Sequence, residues 1–389
     1  MNIYLDNNSG APMRPEARDA MLRFIESGAA NPSSVHISGQ SARRALEGAR
    51  AQVARSMAAD PRRLVFTSGG TESNNLAIFG TLKAHPHRRR IVTSSIEHSS
   101  ILAPTAELET QGYNVERIAP DASGLIDPDR IASAIDRDTA IVSLGLANSE
   151  TGAIQNLESV GARARECGAI FHIDAAQALG RMRLDVASMG CDLMTLSGHK
   201  IGAPAGIGAL YVRDASIIAP AALGGPQEAG LRAGTQNVAG AVAFGAAAEI
   251  VNDHLDEEIA QQRDLSALML RSLLDSIPGL RLNGPVDRRI ANTLNITFPG
   301  VLGETMLLAL DLEGVRVSMG SACAAGAVEP SHVLLAMGLT RAEARSSLRI
   351  SLGWANTRDE IESAASIIAR VWRRLAETPS TRASAEVAR

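Results

Sequence analysis

Leu193-Met194-Thr195-Leu196-Ser197-Gly198-His199-Lys200 is the stretch on which the reading of this chain turns. Its apolar half reads as a buried strand, and its small polar half delivers a lysine to that strand's mouth. Burial disfavours the charged ammonium, and a depressed pKa makes lysine a usable amine nucleophile. Such an amine can form a Schiff base with an aldehyde cofactor. A lone lysine at a strand end more often just opens a surface loop. Two further segments reverse that weighting. Upstream, Phe171-His172-Ile173-Asp174-Ala175-Ala176-Gln177 is an apolar strand with a carboxylate near its end. Downstream, Gly320-Ser321-Ala322-Cys323 is a small-residue loop holding one thiol.

The 389 residues are enough for two domains with separate cores. Aromatic residues make up only 3% of the chain, so aliphatic side chains must pack its helices against its sheets. A net charge of −4 makes no electrostatic case for nucleic-acid binding. The one basic run, Arg88-Arg89-Arg90, is expected to lead a solvated turn into a strand. No stretch has the apolar length needed to cross a bilayer, and Met1 to Asp6 lacks the layout of a signal peptide. A soluble cytoplasmic protein is expected. Cys167, Cys191 and Cys323 are too widely spaced for a disulfide framework or a zinc site.

Along the chain, short apolar runs alternate with helical periodicity. Strand 64–66 leads through Thr67-Ser68-Gly69-Gly70-Thr71-Glu72-Ser73 into a helix expected from Asn74 to Lys83. Strand, glycine pair and helix start together make an anion site, because free N–H groups and the helix dipole point at one spot. Strands are also expected at 91–93, 115–118, 140–144 and 207–212, and helices at 15–25, 41–57, 99–110, 128–135 and 157–167. This βα alternation predicts an α/β fold, a mostly parallel sheet covered by helices. Ligands of such sheets gather beyond the carboxyl ends of the strands. Gly70-Thr71, His98, Asn148-Ser149, Asp174 and Lys200 all follow predicted strands and can converge there.

From about residue 251 the pattern changes. A helix over 253–276, strands at 293–298 and 347–352, a helix over 304–312 and a short one from Glu329-Pro330-Ser331 predict a smaller α+β domain. In the last strand Arg349 points opposite to Leu348 and Ile350, and Thr357-Arg358-Asp359-Glu360 opens the final helix as a capping box. The expected division is 12–250 for a large domain, 1–11 and 251–376 for a small one, and 377–389 for a disordered tail.

A lysine Schiff base with an acid for a pyridinium nitrogen is what pyridoxal phosphate needs. At this level the sequence resembles the NifS/IscS cysteine desulfurases, in the class V aminotransferase group of fold-type I pyridoxal phosphate enzymes. The resemblance runs over nearly the whole chain. Its most specific motifs are Phe66 to Ser73, His172 to Gln177, Ser197 to Lys200, and Gly320 to Cys323 followed by Glu329-Pro330-Ser331-His332. It implies a seven-stranded, mostly parallel sheet in the large domain.

The resemblance also implies roles. Lys200 would carry the cofactor and move protons, Asp174 would pair with the pyridinium nitrogen, and Gln177 would bond the ring oxygen. His98 would stack on the ring and share in catalysis. Gly70, Thr71, Ser197 and His199 would hold the phosphate, with Asn148 and Ser149 beside the cofactor. Thr235 would reach the phosphate of a neighbouring subunit, which implies a homodimer. Arg349, whose planar fork suits a carboxylate, and Asn31 would bind substrate. Cys323 thiolate would attack the sulfur of substrate L-cysteine, release L-alanine, and keep a persulfide for an acceptor protein serving iron–sulfur clusters or another product. Cys167 and Cys191 read as inert core residues.

Several positions depart from the family pattern. Ser149 stands in Asn148-Ser149-Glu150-Thr151-Gly152 where a second asparagine is usual. Ser9-Gly10-Ala11 replaces the usual Ala-Thr-Thr, Pro226 and Ala229 stand where His and Arg are common, and Ala324-Ala325 follows the cysteine in place of Thr-Ser. These point to a specialised member. The rival readings are a selenocysteine lyase, transaminase or β-lyase in which Cys323 accepts no sulfur, and a non-catalytic scaffold that keeps the pocket.

Overall fold

The computed structural model describes residues 2–28, 30–320 and 329–378. Cys323 therefore lies outside the described residues, as does the expected tail beyond Thr378.

The chain begins with β1 (Ile3–Tyr4), α1 (Pro15–Glu26) and α2 (Ile37–Arg55). The second helix starts four residues before its expected place, because His36 accepts a hydrogen bond from Gly39 N and caps it. Then follow β2 (Leu64–Thr67), α3 (Gly70–Ala84), β3 (Arg90–Ser94), α4 (Ser99–Thr110) and β4 (Asn114–Ile118). The series continues through α5 (Pro128–Ala134), β5 (Thr139–Gly145), α6 (Glu158–Cys167), β6 (Ile170–Asp174), β7 (Leu193–Ser197), β8 (Gly208–Val212) and α7 (Val238–Asp253).

Seven of these strands form one sheet in the order β2-β8-β7-β6-β5-β3-β4. β7, β6, β5, β3 and β4 run parallel, and β8 runs antiparallel to both of its neighbours. β2 thus points the same way as the parallel set. β7 and β8 are buried along their whole length, which is why they read as near-continuous apolar runs. Arg88-Arg89-Arg90 leads from a turn into β3 as expected, but only Arg89 is exposed. Arg88 reaches inward to Thr139 O (2.8 Å) and Cys167 O (3.2 Å), and Arg90 opens β3 and pairs with Glu116.

Beyond α7 come α8 (Leu255–Ser276), β9 (Arg281–Asn283), β10 (Thr293–Thr297), α9 (Gly303–Leu312) and β11 (Val315–Arg316). The described chain closes with α10 (His332–Ala336), α11 (Arg341–Arg345), β12 (Ser347–Ser351) and α12 (Arg358–Ala376). The short elements β9 and α11 have too few residues to show a period in the sequence. The antiparallel sheet β12-β10-β9 and the parallel pair β1-β11 share a core of Leu294, Ile296, Leu348 and Ile350 with Ile3 and Leu5. α12 buries Ile361, Ala364, Ala365 and Ile368 against it, the stripe of an amphipathic helix. Its capping box forms as expected. Val333, Leu334, Met337 and Ala344, from α10 and α11, pack with the core of the large sheet instead.

Candidate active site

The parallel strands release their chains on one side of the large sheet, and the expected residues follow them there. β2 ends in Gly69, whose φ of +154° only glycine takes readily, and α3 starts at once at Gly70. That is four residues before its expected start. No side chain among the described residues caps this helix, so its first N–H groups can meet an anion. A Cβ built on Gly70 would lie 3.6 Å from Ser197 Cβ and 3.8 Å from Ala176 Cβ. The helix start thus lies against the ends of β6 and β7. Ser197 Oγ and His199 Nδ1 are 3.1 Å apart beside it. Thr71 is exposed on the helix's first turn.

Asp174 ends β6, in register with Thr195 on β7. Its Oδ1 accepts from Ala176 N (2.9 Å) and its Oδ2 from Asn74 Nδ2 (2.7 Å). The same amide nitrogen donates to Ser100 Oγ (2.8 Å), and Ser100 Oγ lies 2.7 Å from His98 Nδ1. Ser100 N also donates to His98 Nδ1 (3.1 Å). With Nδ1 accepting, the neutral ring carries its proton on Nε2, an assignment that follows from the network. Burial lowers the His98 pKa and outweighs the attraction of Asp174, so the ring is neutral.

Lys200 Nζ donates to Asn8 O (2.6 Å) and Ser9 O (3.0 Å). Burial, followed by the charges of Arg181 and Arg349, lowers its pKa to about 8. The free amine the sequence called for is therefore accessible near neutral pH. Gln177 donates to the same Asn8 O (3.0 Å) and accepts from Arg181. Burial brings Arg181 down to about 9 and His199 down to about 4.

Arg349, on β12, is almost wholly buried. Its Nη2 donates to Asp6 Oδ1 (2.5 Å) and Ser9 Oγ (2.7 Å), and its Nη1 donates to Ser149 O (3.1 Å). Ser149 thus meets Arg349 through its backbone carbonyl. Asn148 builds the turn, its Oδ1 accepting from Glu150 N and Thr151 N at 2.9 and 3.0 Å. Asn31 is exposed, accepting from Ser33 N, and Thr235 is exposed in the glycine-rich loop. Neither joins the cluster by a hydrogen bond among the described residues. That loop is tied to the start of α3 by Arg232 Nε donating to Glu72 Oε1 (2.9 Å).

Asp6, Asn8, Asn74, Ser100 and Arg181 escaped the sequence reading. Asn74 was the most findable, one residue past the quoted Thr71-Glu72-Ser73. Cys167 and Cys191 are buried, and burial pushes the Cys191 thiol up to about 12, so it cannot ionise near neutral pH.

The residues present fit an aldehyde cofactor with a phosphate. The uncapped helix start with Ser197 and His199 suits the phosphate, the fixed carboxylate of Asp174 suits a protonated ring nitrogen, and Lys200 supplies the amine.

Comparisons with known proteins agree. The family model for aminotransferase class-V matches residues 3–363. A cysteine desulfurase of Trichormus azollae is 42% identical over 373 residues, covering 96% of this chain and 93% of its own. Among solved structures, a NifS-like protein superposes with a TM-score of 0.90 at 31% identity, covering 96% of this chain and all of its own. SspA in complex with cysteine gives 0.80 at 35% identity, covering 90% and 99%. Match, fold and site geometry together make this chain a member of the class-V aminotransferase family, whose enzymes depend on pyridoxal 5'-phosphate.

Proposed function

We propose that the protein is a cysteine desulfurase, converting L-cysteine to L-alanine and passing the sulfur through a persulfide on Cys323. The observation that carries this is the amine of Lys200, buried and lowered to about 8, within the fields of Asp174 and Arg349 and near His98. The near full-length similarity to cysteine desulfurases selects this chemistry within the fold.

Pyridoxal phosphate, when bound, supplies an aldehyde for the substrate amine and an electron sink. The start of α3 with Gly70, Thr71, Ser197 and His199 would hold its phosphate, and Asp174 its ring nitrogen. Asn74 fixes Asp174 at 2.7 Å and keeps that carboxylate aimed. His98 would lie on the ring face, with Nε2–H available as a proton donor. Arg349 orients the substrate carboxylate, and Lys200, half deprotonated near pH 8, takes the Cα proton and returns one to the carbon. Cys323 thiolate attacks the substrate sulfur: an S–S bond forms, the C–S bond breaks with its electron pair left on Cβ, and that carbon takes up a proton so that alanine leaves.

A homodimer accounts for the remaining residues. Thr235 is exposed, and Val35, Ile37 and Leu223 are more than four-fifths exposed, surface a second copy would cover. Thr235 and Asn31 would act across that interface. The persulfide goes to an acceptor protein, for iron–sulfur clusters or another sulfur-containing product, in the cytoplasm, where a reactive thiol stays reduced. No helix among the described residues is long and apolar enough to cross a membrane. We assign 12–250 to the cofactor domain and 1–11 with 251–376 to the domain that carries Cys323.

The test is production of alanine and sulfide from cysteine, beside selenocysteine, by purified protein given pyridoxal phosphate and a thiol reductant. Cys323→Ala should keep the cofactor absorbance and lose sulfide release. Normal sulfide release by that variant would remove Cys323 as acceptor, and no alanine from the wild type would remove the reading itself.

A further inference from the structure

A guanidinium grips a carboxylate through two parallel N–H bonds, and only two of its edges offer such a pair. One edge combines Nε with Nη2, the other Nη1 with Nη2. Both need a hydrogen of Nη2. In Arg349 that nitrogen already donates to Asp6 Oδ1 at 2.5 Å and to Ser9 Oγ at 2.7 Å. Among the described residues Nε is buried without a partner, and Nη1 makes only the 3.1 Å bond to Ser149 O. The arginine therefore has donors to spare, but both of its forks run through the one nitrogen that Asp6 and Ser9 already engage.

The two blocking groups are unequal. Asp6 is a charged partner, paired with Arg349 in an ion pair at the foot of β12. Ser9 is neutral, and its own hydrogen is spent on Asp6 Oδ1 at 2.9 Å. Towards Arg349 it can only accept, as a carboxylate oxygen would. Displacing the hydroxyl costs less than displacing the aspartate, since an ion pair is the stronger of the two contacts.

We propose that the Ser9 hydroxyl is a resident substitute for one oxygen of the substrate carboxylate on Arg349, and that the incoming amino acid must displace it to close a two-point fork. Ser9 then sets the affinity for α-amino acids, while Asp6 holds the guanidinium in place throughout. An alanine at this position has no hydroxyl to displace, so Ser9 tunes this chain to higher amino-acid concentrations. The proposal rests on the proposed function, which makes Arg349 the group that receives the substrate carboxylate.

The experiment compares wild type, Ser9→Ala and Ser9→Thr. Binding of 3-mercaptopropionate to cofactor-free protein is read by calorimetry, since that probe has the carboxylate and thiol but no amine. Ser9→Ala should bind it about three- to tenfold more tightly, and Ser9→Thr, which restores a hydroxyl, within about twofold of wild type. With cysteine and the loaded enzyme, Ser9→Ala should lower KM by a similar factor and leave kcat within about twofold. Weaker or unchanged probe binding by Ser9→Ala overturns the proposal, because it means the hydroxyl helps the carboxylate or plays no part. Absence of probe binding to all three proteins overturns it too, since Arg349 would then hold no carboxylate. If the wild type binds the probe but does not turn over cysteine, the desulfurase reading fails while the binding arm still decides Ser9.

Discussion

Replacing Glu97 with glutamine should change how stability depends on pH without altering the shape of the site. The Glu97 carboxyl is fully buried behind His98, where Ser94 Oγ donates to Oε1 (2.5 Å) and Gly145 N to Oε2 (2.8 Å). Burial, with help from the charge of Asp174, raises its pKa from 4.5 to about 8 in spite of those two bonds. The folded protein thus keeps a proton that the unfolded chain releases at ordinary carboxylate pH. The sign follows directly: the stability this gives is complete below about pH 4.5 and is lost as pH rises towards 8. A rise from 4.5 to about 8 is worth about 5 kcal/mol across that window, at about 1.4 kcal/mol per pH unit. Glutamine has the same shape and no proton to lose. Urea unfolding of both cofactor-free proteins from about pH 5 to about pH 8 gives the difference in unfolding free energy. That difference, wild type minus variant, should fall by roughly 1 kcal/mol or more per unit. Two parallel stability curves would refute the reasoning, since Glu97 would then be ionised in the folded state.

Asn74→Ala removes the amide that holds both Asp174 and Ser100. Loss of a hydrogen bond to a charged acceptor should weaken pyridoxal phosphate binding by about ten- to a hundredfold, read by absorbance titration; equal affinity would show that Asp174 aims itself. Glu228→Ala should lower stability by about 3 kcal/mol, because the buried Arg50 guanidinium loses the carboxylate it meets at 2.6 and 2.9 Å and keeps the exposed Glu47 and the carbonyl of Leu64. Thermal unfolding checks this, and a negligible change in Tm would mean that solvent reaches Arg50.

The site was legible wherever one short segment carries both a strand end and a functional side chain. Ser197 to Lys200, His172 to Gln177 and Gly69-Gly70-Thr71 each announce a group and the place where the chain puts it. The alternation of apolar runs and helical periods gave the α/β class and the direction of most strands. Boundaries were less legible. α3 starts at Gly70 because Gly69 adopts a backbone angle that a propensity reading does not anticipate, and α2 starts at Ile37 because a histidine serves as its cap. Arg88 was misjudged for a related reason: charge alone says surface, yet its long stem carries the guanidinium to two interior carbonyls.

The sequence by itself determined the residue types, their order and the strand ends that bear them, and so the class of chemistry available: a buried amine, a fixed acid and an anion-binding helix start. Local pattern suffices for these, because burial and backbone conformation act over a few residues. Only the tertiary structure decided which groups meet. Asp6 and Arg349 are 343 positions apart, and Asn74 and Asp174 are 100 apart. The first pair meets because the chain after β1 runs beside β12, the second because α3 packs across the end of β6, and no propensity or period encodes either pairing. The turn from Asp6 to Gly10 gains its meaning only there, because packing brings both Lys200 and Arg349 onto it.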